Sequence, residues 1–289
     1  MNAPYRSIWT ELLATPFRQG WIDAGGIRTR YVQAGSESNP PLVMLHGTAG
    51  SLENFAANIA AHAKHFNCIA FDMVGSGMTD KPDYDYETGQ YVKHALDFFR
   101  AMRIRKASVI GLSLGARVAT RFAIDYPDMV DKLILLSATA YFPARPVQND
   151  IKSSRSAAAA NPTWDNIREI FKGLFHDPDK VWDDLIATRL SIYGRPDMKR
   201  AMPHILALLD SDVYNRNRIP DDDWKKLQAP TLIVAAVDHA DVFLETARTV
   251  AKLIPHVTVF EMKNCSHWPQ MEDAETFNKR SLAFLLTVG

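Results

Sequence analysis

The sequence predicts an α/β chain: a doubly wound, mostly parallel sheet interrupted once by a helical insertion. Three observations carry that expectation. Short, wholly apolar runs recur with turn residues at their ends. Longer stretches with apolar residues three and four apart lie between them. The alternation stops in mid-chain for about 75 residues and then resumes.

Taken in order, Ile27–Ala34 (IRTRYVQA) alternates apolar and polar residues and predicts an antiparallel strand at the sheet edge. Pro41–Leu45, Cys68–Phe71, Ser108–Leu112 and Lys132–Leu136 are apolar throughout, as strands buried on both faces require. Helical spacing fills Phe55–Phe66, Gly89–Met102 and Leu114–Tyr126, the last stopping before Pro127. From Phe142 to Asn217 no strand-like run occurs. Strands return at Thr231–Val237 and His256–Glu261, and a helix closes the chain at Phe277–Leu286. The division is therefore a core over residues 1–140, a helical lid over 141–217, and the rest of the core over 218–289. An apolar helical insertion beside a sheet suits a cover that shapes and dries a pocket.

Composition narrows the function. The 289 residues carry 33 lysine and arginine against 33 aspartate and glutamate, so neither nucleic acid nor an anionic membrane is an expected partner. Two cysteines, Cys68 and Cys265, make no disulfide framework and no metal spacing. The opening MNAPYRSIWTELLATPF lacks an apolar run of signal-peptide length. The expectation is a cytoplasmic protein acting on a small molecule without metal or organic cofactor, with homo-oligomerisation left open.

Gly111-Leu112-Ser113-Leu114-Gly115 lies between a buried strand and a long helix. In that context G-x-S-x-G is a nucleophile elbow: a sharp turn lifts the serine hydroxyl clear of the sheet, and flanking glycines avoid collisions. Serine needs a base. Among the nine histidines His267 is placed best, between the last strand and the last helix. His46 suits a loop-orienting role, and His62, His65, His94, His176, His204 and His256 have no motif around them. The acid that orients the imidazole belongs in the loop after Thr231–Val237. Asp238 and Asp241 compete there, and Asp238, nearest the strand, is preferred. Backbone N–H groups of Leu114 and of Thr48, in His46-Gly47-Thr48-Ala49-Gly50, are the expected oxyanion donors. Asp72-Met73-Val74-Gly75-Ser76-Gly77 lacks the G-x-G-x-x-G and lysine of a phosphate loop and reads as a tight turn.

The elbow, HGTAG, DMVGSGMTDKP and CSHWPQMEDAETFNKRSLAFL together resemble the α/β-hydrolase superfamily over nearly the whole chain. Within it the chain is most similar to the meta-cleavage product hydrolases, which split a carbon–carbon bond in 2-hydroxy-6-oxo-dienoates. That resemblance implies a triad of Ser113, Asp238 and His267, a pocket tryptophan at Trp268, and a substrate-binding arginine at Arg189 in Trp182–Arg189 (WDDLIATR). A surface ion pair with Asp183 or Asp184 is the competing role for Arg189. The chain departs from the family at Leu112, where asparagine is usual, and at His239, which stands where the acid is expected. A carboxylesterase or lactonase with the same triad, and a non-catalytic ligand-binding protein on this fold, remain the alternatives.

Overall fold

The computed structural model describes residues 6–238 and 241–287, so the first residues of the stretch read for a leader, and His239, lie outside the described residues. After a short α1 (Ile8–Leu12), the strands are β1 (Phe17–Asp23), β2 (Arg28–Ala34), β3 (Pro41–Leu45), β4 (Asn67–Phe71), β5 (Ala107–Leu112), β6 (Val130–Leu136), β7 (Thr231–Ala236) and β8 (Val257–Met262). They form one sheet in the order β1-β2-β4-β3-β5-β6-β7-β8. From β4 onward along that order the pairing is parallel, whereas β2 runs antiparallel to both β1 and β4.

The central strands β3, β4 and β5 are almost entirely buried, as their unbroken apolar runs require. Between strands come α2 (Ala56–His62), α3 (Thr88–Ala101) and α4 (Leu114–Asp125). One expectation is corrected. The antiparallel strand at Ile27–Ala34 is not at the edge, because β1 pairs along its whole length. The sequence FRQGWID hides β1, since nearly all of it faces solvent and no apolar run marks it.

Between β6 and β7 the described chain is helical: α5 (Pro146–Ala160), α6 (Trp164–Lys172), α7 (Asp183–Tyr193), α8 (Pro196–Leu206), α9 (Ser211–Arg216) and the single turn α10 (Asp221–Trp224). Here α5 packs on α6 and α8, and α6 on α7. The chain ends with α11 (Val242–Val250), α12 (Pro269–Glu272) and α13 (Ala274–Leu285). Parallel pairing sends β3, β5, β6, β7 and β8 toward one end of the sheet. The loops after them gather there, where open α/β sheets place their ligands.

Candidate active site

Ser113 ends β5 and begins α4 with φ 55° and ψ −112°, a conformation L-residues avoid. Its N–H donates to the Leu136 carbonyl, while its own carbonyl starts the helical ladder at Arg117. The flanking glycines are compulsory. A Cβ on Gly111 would lie 2.4 Å from the Gly115 carbonyl oxygen, and one on Gly115 only 2.1 Å from that of Leu45. The strand, the helix and the 46–50 loop are thus packed backbone to backbone around the serine, which stands half-buried at a cavity of about 300 Å³.

That cavity is walled by Gly47 and Thr48 from the loop after β3, by Ser113, by His267 and Trp268, and by α5, α6 and α7. Leu114 occupies the first position of α4, so its N–H has no partner within the helix and points out of the helix N-terminus. A Cβ on Gly47 would come within 3.5 Å of the Ser113 Cβ, which shows how closely this loop approaches. His46 orients it. Its Nε2 accepts from the Met73 N–H at 2.9 Å, so Nδ1 carries the proton and donates to the Gly47 carbonyl at 2.8 Å. Complete burial pushes the imidazole pKa down to about 4. His94 does similar work, accepting from the Val74 N–H, and its pKa falls to about 3.

The turn at Asp72–Gly77 is held by Asp72, which accepts from Arg30 Nε at 2.6 Å and from the N–H groups of Leu52 and Met78 at 2.8 Å each. A Cβ on Gly77 would strike that carboxylate. The motif is a tight turn, not a phosphate site.

His267 is fixed through its backbone. Its N–H donates to the Leu174 carbonyl at 3.1 Å and its carbonyl accepts from Ser137 Oγ at 2.8 Å. The Phe243 ring meets the imidazole edge-on, centroids 4.4 Å apart. Burial, reinforced by the positive charge of Arg155, pushes its pKa down to about 3. The ring is therefore neutral at pH 7 and able to accept a proton. Glu272 steadies the same loop by accepting from the Ser266 N–H at 2.7 Å and the His176 N–H at 2.6 Å.

The two aspartates differ. Asp238 is exposed, accepts from the Asn264 N–H and is absent from the cavity wall. Asp241 lines the large cavity and also a small one of about 20 Å³ shared with His267, Phe243 and Ser137. Both hydrogen bonds to Asp241, from the N–H groups of Phe243 and Leu244 at 2.9 Å, fall on Oδ1. Among the described residues neither carboxylate is hydrogen-bonded to the His267 ring.

Arg189 is buried at the cavity, bonded to Asn54 Oδ1 at 3.2 Å and lying over the rings of Phe171 and Tyr193. The surface ion pair is not formed: Asp184 instead accepts from the Ile8 N–H. Trp268 is buried against Phe171 and Phe175, whereas Trp164 is exposed. Two buried polar cavity residues escaped the sequence reading. Asn54 presents a buried Nδ2 without a partner. Arg155 continues the stripe Val147, Ile151, Arg155, Ala159 of α5, and a cation at every-fourth apolar spacing was the available signal.

Residues 42–280 match the model of the alpha/beta hydrolase family. The chain belongs to that family. It is 27% identical over 281 residues to 2-hydroxy-6-oxo-6-(2'-aminophenyl)hexa-2,4-dienoic acid hydrolase of Metapseudomonas resinovorans, covering 96% of this chain and 93% of that relative. Identity to 2-hydroxymuconate semialdehyde hydrolase of Pseudomonas putida is 26% over 289 residues, covering 99% and 97%. The solved structure of 2-hydroxy-6-oxo-6-phenylhexa-2,4-dienoate hydrolase from Rhodococcus sp. strain RHA1 superposes with a TM-score of 0.85 at 20% identity, covering 95% of this chain and 100% of that one. Among the described residues no helix is long and apolar enough to cross a membrane, and no cluster of ligating side chains suits a metal ion.

Proposed function

We propose that this hydrolase cleaves the carbon–carbon bond beside the ketone of 2-hydroxy-6-oxo-dienoates, with Ser113 as nucleophile and His267 as its base. One observation carries the reading most strongly: the Ser113 turn, a neutral imidazole and the buried Arg189 guanidinium face one cavity. The substrate's 1-carboxylate meets Arg189, whose fork suits a carboxylate. His267 helps convert the dienol to its keto tautomer and then takes the Ser113 hydroxyl proton as Oγ adds to the 6-ketone. The oxyanion is held by the N–H groups of Leu114 and Thr48. As the bond between carbons 5 and 6 breaks, its electron pair leaves with the dienoate fragment, which receives a proton from the imidazolium. Water then releases the carboxylic acid from Ser113. Trp268, with Leu174 and Ile151, supplies apolar wall for the acyl end. The acid partner of the imidazole is Asp241 rather than Asp238, because Asp241 shares both cavities with His267 and keeps Oδ2 outside its capping bonds. A cytoplasmic location and independence of any cofactor belong to this reading.

Carboxylesterase action is the second reading. It is favoured by Leu112, which is wholly buried and offers no polar group where the related enzymes usually carry asparagine. Purified enzyme mixed with a coloured 2-hydroxy-6-oxo-dienoate, and separately with p-nitrophenyl esters, separates the two. Loss of the dienoate absorbance, reduced at least ~10³-fold in Ser113→Ala, is expected. Turnover of esters alone would replace the first reading with the second, and saturable binding with neither turnover would make the protein a ligand carrier.

A further inference from the structure

Glu272 ends the single turn α12 and is 6% exposed, a burial that carboxylates rarely adopt. Its two oxygens serve different parts of the chain. Oε1 accepts from the Ser266 N–H at 2.7 Å, on the loop that carries the imidazole. Oε2 accepts from the His176 N–H at 2.6 Å, in the turn after α6. The Asp177 N–H also reaches this carboxylate. Burial pushes the Glu272 pKa up, and these N–H groups, with the nearby His176, pull against that shift. The next acid does different work: Asp273 caps α13, accepting from the Thr276 N–H at 3.1 Å. Glu272 is absent from the cavity wall, so its carboxylate meets neither substrate nor the reacting atoms.

The imidazole depends on this backbone for its place. Among the described residues neither Asp238 nor Asp241 is bonded to the His267 ring, and the ring's aromatic contact is the edge of Phe243. The main chain of His267 is tied to the Leu174 carbonyl and to Ser137 Oγ, and the residue before it is tied to Glu272. We propose that Glu272 is a positioning residue, whose bridge between Ser266 and His176 fixes the backbone from which His267 reaches Ser113. This rests on the serine–histidine pair of the reading above. A carboxylate is required there, and a polar side chain of the same size does not suffice. Glutamine has one acceptor oxygen and would turn an amide N–H toward a second donor, leaving either Ser266 or His176 without an acceptor. A base displaced by about 1 Å costs on the order of 10²-fold in rate. Because the carboxylate lies behind the cavity wall, that cost falls on kcat and not on substrate binding.

Wild type, Glu272→Gln and Asp273→Ala decide it, the last losing the α13 cap without touching Ser266 or His176. Each is reacted with diisopropyl fluorophosphate: Ser113 Oγ bonds to phosphorus, fluoride leaves, and the hydroxyl proton passes to the imidazole. Glu272→Gln is expected to label ~10–100-fold more slowly than wild type, and to lose a similar factor in kcat with KM held within about threefold. Asp273→Ala is expected to lose about 2–4 °C in Tm and to label within about threefold of wild type. Labelling of Glu272→Gln at the wild-type rate would overturn the proposal. So would equal slowing in Asp273→Ala, which would make the effect one of general stability. If Glu272→Gln does not fold, amide hydrogen exchange on wild type decides: the Ser266 and His176 N–H groups are expected to be protected together, and free exchange of either overturns the bridge. A wild type that labels and cleaves esters but no dienoate removes the dienoate reading and leaves Glu272 in its role. A wild type inert to the fluorophosphate removes both, and equal labelling beside full dienoate turnover in Glu272→Gln removes this inference alone.

Discussion

The nucleophile side and the acid side of this site are built on different terms. Around Ser113 the backbone decides: Gly111 and Gly115 have neighbours where a Cβ would sit, and the 46–50 loop is pinned by the ring of His46. Around the imidazole side chains decide. Asp238 and Asp241 lie three residues apart in one loop, yet one serves the Asn264 N–H and the other caps a helix. Backbone crowding permits one residue type, whereas a carboxylate can reach a ring from several positions. Half of a catalytic centre is thus rigid by exclusion and the other half by choice of partner.

The largest effect tests the second half. Asp241→Asn should lower kcat for the preferred substrate by ~10²–10⁴-fold, with Asp238→Asn staying within about tenfold of wild type. Steady-state kinetics on both variants decides it, and a collapse confined to Asp238→Asn reverses the assignment.

A smaller effect probes the pinned half. His46, His62 and His94 are held neutral by burial, with pKa values of about 4, 4 and 3, against an ordinary value near 6.5. Because these values are lowered on folding, the unfolded chain binds protons that the folded chain refuses once the pH drops below 6.5. Stability is therefore full above pH 6.5 and falls as pH drops toward 4, with a slope of up to about 4 kcal/mol per pH unit. Urea unfolding at half-unit pH intervals measures it. A flat profile between pH 6.5 and 4 would mean that burial does not hold these three rings neutral in the folded chain.

Smallest is the relief of strain at the elbow. Ser113→Gly removes the Cβ from a backbone at φ 55° and should raise Tm by about 2–4 °C as it abolishes turnover. Calorimetry showing no rise would place the cost of the turn elsewhere.

Much of this was legible because the signals were redundant. Buried parallel strands must be apolar on both faces, so β3 to β7 stand out in the sequence, and the positions of Ser113 and His267 between elements foretell that both reach one cavity. β1 was not legible, since a two-stranded antiparallel margin tolerates polar residues on both faces. Arg155 was hidden because a helix stripe is read for apolar residues. The choice between Asp238 and Asp241 depends on which way a loop turns its side chains, which neighbouring residues in the sequence do not encode.

The His267 loop is tied to the helical segment at two points: its N–H meets the Leu174 carbonyl, and Glu272 grips the N–H groups of both Ser266 and His176. Displacing the 174–176 turn therefore displaces the backbone on either side of His267. The backbone that carries the His267 ring and the 174–176 turn at the cavity wall are thus held as one piece.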